Sequence, residues 1–157
     1  MPPTYDYIIV GAGSAGAVVA SRLSENGAYK VLLLEAGTKG SNHFWSRVPV
    51  GTSKMIDDPA VNWCYRSEPD EGSGGRRIDV PRGKMMGGSS SINGMVYIRG
   101  QARDYDHWAQ LGNRGWSYQD VLPIFKRMER YAGGSDEFRG RDGLLRVTDT
   151  PRNKLPL

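Results

Sequence analysis

Apolar residues in this chain come in short runs divided by glycine. Tyr5 to Val10 reads Y-D-Y-I-I-V and ends in three consecutive apolar residues. A short β-branched run bounded by glycine predicts a strand buried on both faces, as in a parallel sheet. Gly11-Ala12-Gly13-Ser14-Ala15-Gly16 follows at once. The pattern then predicts a helix from roughly Ser14 to Asn26. Its small residues Ala17, Ala20 and Ser21 suit close packing on a sheet, and Gly27 suits the C-terminal turn. Lys30 to Leu34 is the second predicted strand, with Glu35 at its end.

Residues 38 to 82 have weak periodicity and are punctuated by Gly, Pro, Ser and Asp, which predicts a long irregular excursion. Within it, Asp70 to Gly75 reads as a flexible turn and Arg76 to Val80 as the second arm of a hairpin. Ser117 followed by Asp120 reads as a helix start, a shortened capping box. Val121, Leu122, Phe125 and Met128 continue as an apolar stripe, so a helix is expected to about Arg130 with Pro123 early in it. Trp108, Trp116, Tyr118 and Phe125 are expected to pack in a core.

The first two strands frame a G-x-G-x-x-G turn. Gly11 allows a tight exit from the strand. Gly13 lacks a Cβ, so a pyrophosphate can approach the backbone, and Gly16 lets the helix lie close to the strand. The helix N-terminus presents free N–H groups and a positive dipole end. Glu35 stands nineteen positions after Gly16, near the ~20 at which an acidic residue meets the adenosine ribose. Its carboxylate would repel a 2′-phosphate, which argues against NADP. The plainer alternative is ordinary turn glycines and a solvated strand end. Strand, glycines, helix, strand and acid in register favour a dinucleotide, and leave FAD and NAD both open.

A second signature narrows that choice. Residues 83 to 106 read G-K-M-M-G-G-S-S-S-I-N-G-M-V-Y-I-R-G-Q-A-R-D-Y-D. This segment resembles the first signature of the glucose–methanol–choline oxidoreductases, at Gly83, Lys84, Gly87, Gly88, Ser89, Ser90, Asn93, Tyr97, Gly100 and Asp106. Asp6 to Gly16, Leu32 to Gly37, Asn62 to Tyr65 and Gly115 to Pro123 resemble the same family, so the likeness runs nearly end to end. It implies an α/β fold with a Rossmann-like FAD-binding βαβ unit at 1–37, an irregular excursion and an additional helix. The whole of 1–157 would be the N-terminal part of an FAD-binding domain, incomplete relative to the full family fold. It also implies flavin-dependent oxidation of alcohols.

For the site, the resemblance together with the turn chemistry implies FAD held by Gly11, Gly13, Ser14, Ala15, Gly16, Glu35 and Ala36. The second segment would add Arg82, Gly83, Gly87, Gly88 and Ser89. Asn93, Gly94, Met95 and Val96 would border the flavin ring, where backbone N–H groups stabilise its reduced form. Two glycines and three serines make a backbone on which a flat aromatic group can lie. The alternative, a flexible linker, fits poorly with the apolar flanks Met85-Met86 and Ile92. Some family members bond FAD covalently through a histidine just before the asparagine. Here that residue is Ile92, so noncovalent FAD is expected.

Composition adds limits. With 157 residues the chain suffices for one compact domain. Its only cysteine, Cys64, precludes an internal disulfide and is expected to be a buried structural thiol. The first strand begins within a few residues of Met1, so no signal peptide is expected, and no apolar run approaches membrane-spanning length. A cytoplasmic protein is expected. The net charge is +4, with clusters at Arg76-Arg77, Arg82, Lys84, Lys126-Arg127 and Arg130. Interspersed acids and the lack of any nucleic-acid motif argue for solvated faces rather than nucleic-acid binding.

Alcohol oxidation needs a base within hydrogen-bond reach of the substrate hydroxyl. His107, beside Asp104 and Asp106, lacks motif context and reads as a surface or packing residue; His43 is equally without context. The resemblance places the family's catalytic histidine in a C-terminal part that has no counterpart here, and Gly143 to Val147 resembles the first crossing toward a substrate domain. The chain is therefore expected to bind FAD without a catalytic residue of its own. An alcohol would be substrate only of a full-length parent. The alternatives are a stand-alone ADP- or FAD-binding module, or one chain of a split enzyme completed by a C-terminal partner chain.

Overall fold

In a computed structural model, residues 3–39 and 43–149 are described. The chain divides into two compact units, Met1–Val96 and Tyr97–Leu157, with the boundary inside the second signature.

The first unit opens with β1 (Tyr7–Val10), α1 (Ser14–Ser24) and β2 (Val31–Leu34). The strands pair in parallel with Tyr7 opposite Val31 and Val10 opposite Leu34. This is the expected βαβ unit, with α1 ending two residues early and Gly27 turning the chain at φ +71°. Gly11 leaves β1 at φ +92°. A Cβ on Gly16 would lie 2.0 Å from the Gly11 carbonyl oxygen and 3.3 Å from Ile9, so only glycine lets α1 seat this close. The strands are not buried on both faces as expected: Ile8 is 59% exposed and Val10 83%. Among the described residues the sheet has two strands, so its outer face has no layer to cover it.

The excursion contains 3₁₀ turns at Phe44–Arg47 and Pro49–Gly51 and a short α2 (Thr52–Met55). The hairpin is present: β3 (Tyr65–Arg66) pairs antiparallel with β4 (Asp79–Val80). Its connection is not a loose turn. The Asp70 carboxylate accepts from the Gly72 N–H at 2.8 Å, Glu71–Ser73 forms a 3₁₀ turn, and Gly74 reverses it at φ +65°. The Cys64 expectation also fails. Cys64 is exposed and sits at φ +52°, because its aromatic neighbours do not close over it. The core of the unit is Met55, Val61, Met85 and Ile92, none more than 4% exposed. Met85 and Ile92 thus root both ends of the glycine–serine segment in apolar packing, at about 1.5–3 kcal/mol for each such side chain.

The second unit contains α3 (Ala102–Gln110), α4 (Tyr118–Met128), β5 (Glu129–Tyr131) and β6 (Leu145–Val147). Ser117 caps α4 as expected, its Oγ accepting from the Asp120 N–H at 3.3 Å while its own N–H donates to the Asp120 carboxylate at 3.1 Å. The helix stops at Met128 rather than Arg130, because Glu129 enters β5 and pairs in parallel with β6. Helix α3 was not anticipated. Rings link α3 to α4: Tyr105 lies 5.6 Å from Phe125 and 6.3 Å from Tyr118. Trp108 and Trp116 meet at 5.8 Å but remain 45% and 52% exposed, so they form a half-open aromatic cluster instead of a core. Glu129 is fully buried and ion-paired to both Arg99 and Arg139. The Tyr131 hydroxyl donates to Asp149 at 2.8 Å, and this bond holds its pKa above the usual value.

Candidate cofactor cleft

The two glycine-rich segments are distant in sequence and adjacent in space. The Gly87 N–H donates to the Ala12 carbonyl at 2.8 Å, and Gly13 and Gly87 form a parallel bridge. Gly87 and Gly88 have φ of +91° and +55°, and a Cβ on Gly88 would lie 2.8 Å from the Gly13 Cα. The Met86 N–H donates to Thr38 at 3.0 Å and the Lys84 N–H to Val61 at 2.7 Å. Residues 83–89 are thereby stitched to the turn after β1, the turn after β2 and the stretch at 61–63.

These contacts frame a cleft of about 890 Å³, within the size range of small-molecule and cofactor sites. Gly11, Gly13, Ser14, Ala15 and Gly16 line one side, Glu35 and Ala36 another, and Arg82, Gly83, Gly88 and Ser89 a third. Gly13 begins α1 without any side-chain cap, and the first turn contains no acid. The N–H groups there are left to an incoming anion. Gly13 has ordinary φ (−73°), and a Cβ built on it would meet only the Gly88 Cα at 3.9 Å. The space it leaves therefore opens into the cleft. Glu35 holds the turns together: one carboxylate oxygen accepts from the Ala12 N–H at 2.8 Å and the other from the Gly37 N–H at 2.9 Å. Each oxygen retains a second lone pair for a ligand hydroxyl.

Gly87 adjoins this cleft without lining it. Asn93, Gly94, Met95 and Val96 do not reach it. The 3₁₀ turn Gly88–Ser91 redirects the chain, and the burial of Ile92 fixes the new course. Asn93 and Met95 instead line a smaller cleft of about 310 Å³ with Trp45 and Thr52, whose hydroxyl donates to the Asn93 carbonyl at 2.8 Å. Val96 is 83% exposed.

Two aromatic lining residues were not singled out from the sequence. Trp63 and Tyr65 stack with centroids 5.9 Å apart and planes within 7°, and Lys84 Nζ lies 5.0 Å from the Trp63 ring. The W-x-Y alternation was the available signal. His43 is engaged with Asp58 at 3.3 Å, and His107 stands exposed on α3, lining a cleft of about 730 Å³ with Arg103, Asp104 and Asp106. Among the described residues no cluster of metal-ligating side chains occurs, and no helix is long and apolar enough to cross a membrane.

A parallel βαβ unit, an uncapped helix N-terminus and an acidic strand end joined to a glycine–serine segment define a dinucleotide-binding α/β protein. The family model for the N-terminal region of the GMC oxidoreductases matches residues 5–157, and the chain belongs to that family. It is 49% identical over 142 residues to the oxygen-dependent choline dehydrogenase of Brucella anthropi, covering 90% of this chain and 26% of that protein. With the same-named protein of Sinorhizobium fredii the identity is 51% over 146 residues, 93% of this chain and 26% of the relative. Among solved structures it resembles pyridoxine 4-oxidase from Mesorbium loti, with TM-score 0.83, 35% identity, and coverage of 91% of this chain and 28% of that one. A formate oxidase from Aspergillus oryzae, in a variant made to examine FAD modification, gives TM-score 0.78 at 28% identity, covering 90% and 26%. The chain thus spans about a quarter of the length of these relatives.

Proposed function

We propose that this chain is the FAD-binding portion of an oxidoreductase that takes hydride from the CH–OH carbon of an alcohol. The observation that carries this reading is the convergence of the α1 N-terminus, Gly13, Glu35 and Ser89 on one cleft. Ser14, Ala15 and Gly16 offer N–H donors to the pyrophosphate, and Arg82 offers a cation. Glu35 accepts from the adenosine ribose and repels a 2′-phosphate. Trp63 and Tyr65 offer apolar faces. Family membership and the choline dehydrogenase relatives support FAD over NAD and an alcohol as substrate. When bound, the flavin supplies the hydride acceptor.

The flavin is held noncovalently at the segment preceding Asn93. Ile92 carries no nucleophile, and its side chain is packed in the core at 4% exposure. We assign no catalytic base to the chain: His43 is engaged with Asp58, and His107 stands exposed on α3. Supplied with FAD and choline or other alcohols, these 157 residues alone should reduce an acceptor no faster than free FAD.

Titration of the chain with FAD, ADP, NAD⁺ and NADP⁺, followed by calorimetry and flavin fluorescence, tests the reading. FAD and ADP should bind, NADP⁺ should not, and acid precipitation should release FAD into the supernatant. Failure to bind FAD, or equal affinity for NADP⁺, contradicts the assignment; flavin retained in the pellet contradicts the noncovalent mode.

A further inference from the structure

Asn62 is 2% exposed and does not line the cleft, yet its side chain ties together two of the cleft's walls. Its Nδ2 donates to the Ile56 carbonyl. Its Oδ1 accepts twice, from the Cys64 N–H at 3.0 Å and from the Arg82 N–H at 2.8 Å. We propose that Asn62 is a positioning residue for the nucleotide cleft, setting the Trp63–Tyr65 wall against Arg82 and Gly83 so that an adenosine diphosphate moiety fits between them. This inference rests on the cofactor reading above.

The local geometry explains why one oxygen matters to both walls. Asn62 lies opposite Gly83 in an antiparallel bridge, and the Trp63 N–H donates to the Arg82 carbonyl at 2.8 Å. These backbone bonds set the register of the two stretches but leave the next N–H on each side without a backbone partner. Asn62 Oδ1 takes both. Cys64 sits at φ +52°, a region that residues with a Cβ seldom adopt. The bond from its N–H to Asn62 holds it there, and Cys64 is the link between the two stacked rings. Releasing it allows Cys64 to return to negative φ, which turns Tyr65 away from Trp63. Releasing the Arg82 N–H loosens the opposite wall.

Two substitutions separate positioning from general stability. Asn62→Asp keeps the double acceptor, sets an oxygen in place of the N–H donor against the Ile56 carbonyl and adds one negative charge, whose effect on the diphosphate is separated by measuring uncharged adenosine beside ADP. Asn62→Leu keeps the approximate shape and strands both N–H groups. ADP is the probe, with affinity measured by calorimetry, folding by the unfolding midpoint, and the ring pair by near-ultraviolet circular dichroism. Asn62→Asp should lower the midpoint while keeping adenosine affinity within about threefold, and Asn62→Leu should weaken ADP by roughly tenfold or more and diminish the aromatic signal, since stranded buried donors are costly. If Asn62→Leu does not fold, Asn62→Ser decides. Its shorter hydroxyl reaches the Cys64 N–H but not Arg82, and a clear loss of affinity is expected. Adenosine affinity that follows the midpoint in Asn62→Asp, or ADP affinity that survives in Asn62→Leu or Asn62→Ser, overturns the positioning role. An unsubstituted chain that does not bind ADP overturns the cleft assignment itself.

Discussion

Gly37 and Lys84 touch backbone to backbone: a Cβ built on Gly37 would lie 1.8 Å from the Lys84 carbonyl oxygen and 2.5 Å from the Met85 nitrogen. The end of β2 and the start of the second signature therefore share a space that no side chain can enter. Met85, next in sequence, is fully buried in the core.

Gly37→Ala is expected to destabilise the chain, because the obstacle is main chain and cannot rotate away. Overpacking of this kind costs about 1–3 kcal/mol. Thermal unfolding measures it. A midpoint equal to that of the unsubstituted chain would show that the two segments do not meet.

Gly13→Ala should behave oppositely. At φ −73° with 3.9 Å to the nearest heavy atom, the added methyl group strains nothing, and removing glycine flexibility from the unfolded chain is worth ~0.4–1 kcal/mol. The methyl group instead occupies the phosphate approach. Stability should hold or rise slightly, while FAD affinity falls by about tenfold, or ~1.4 kcal/mol. Unchanged affinity in a folded variant contradicts the placement of the phosphates.

Glu35→Gln is expected to cost stability even without ligand. Both carboxylate oxygens accept backbone N–H groups, and an amide can offer only one oxygen. Its NH₂ must face a donor, leaving a part-buried N–H unpaired at ~1–3 kcal/mol. Urea unfolding of the ligand-free chain reads this directly. A midpoint unaffected by the substitution would leave Glu35 a ligand contact alone.

Cys64 is exposed, so an aromatic disulfide reagent should modify one thiol per native chain as fast as it does in denaturant. Reaction that waits for unfolding would restore the buried thiol expected from sequence.

The parts legible in the sequence were those whose causes are local. The β1–α1–β2 unit announces itself through an apolar run, three glycines and an acid in register. The α4 start is written in Ser117 and Asp120. Helix α3 is hard to read from periodicity because it spans nine residues and is mostly polar, with Tyr105 and Trp108 as its main apolar signal; its cue in the sequence is the Gln101–Asp104 spacing, which the Gln101 N–H bond to Asp104 at 2.8 Å turns into a cap. The Trp63–Tyr65 wall depends on Asn62 hydrogen bonds that join residues twenty positions apart. The course of Asn93 to Val96 depends on the burial of Ile92. Both are tertiary causes, which periodicity does not encode.

Hydrogen exchange of the chain with and without ADP tests the central claim most directly. The account predicts slowed exchange at the amides of Ser14, Ala15 and Gly16, at Ala36, and at Gly83, Gly88 and Ser89, with Arg103 to Gln110 on α3 unchanged. Protection confined to α3, or to Asn93 through Val96 without the α1 N-terminus, would contradict it.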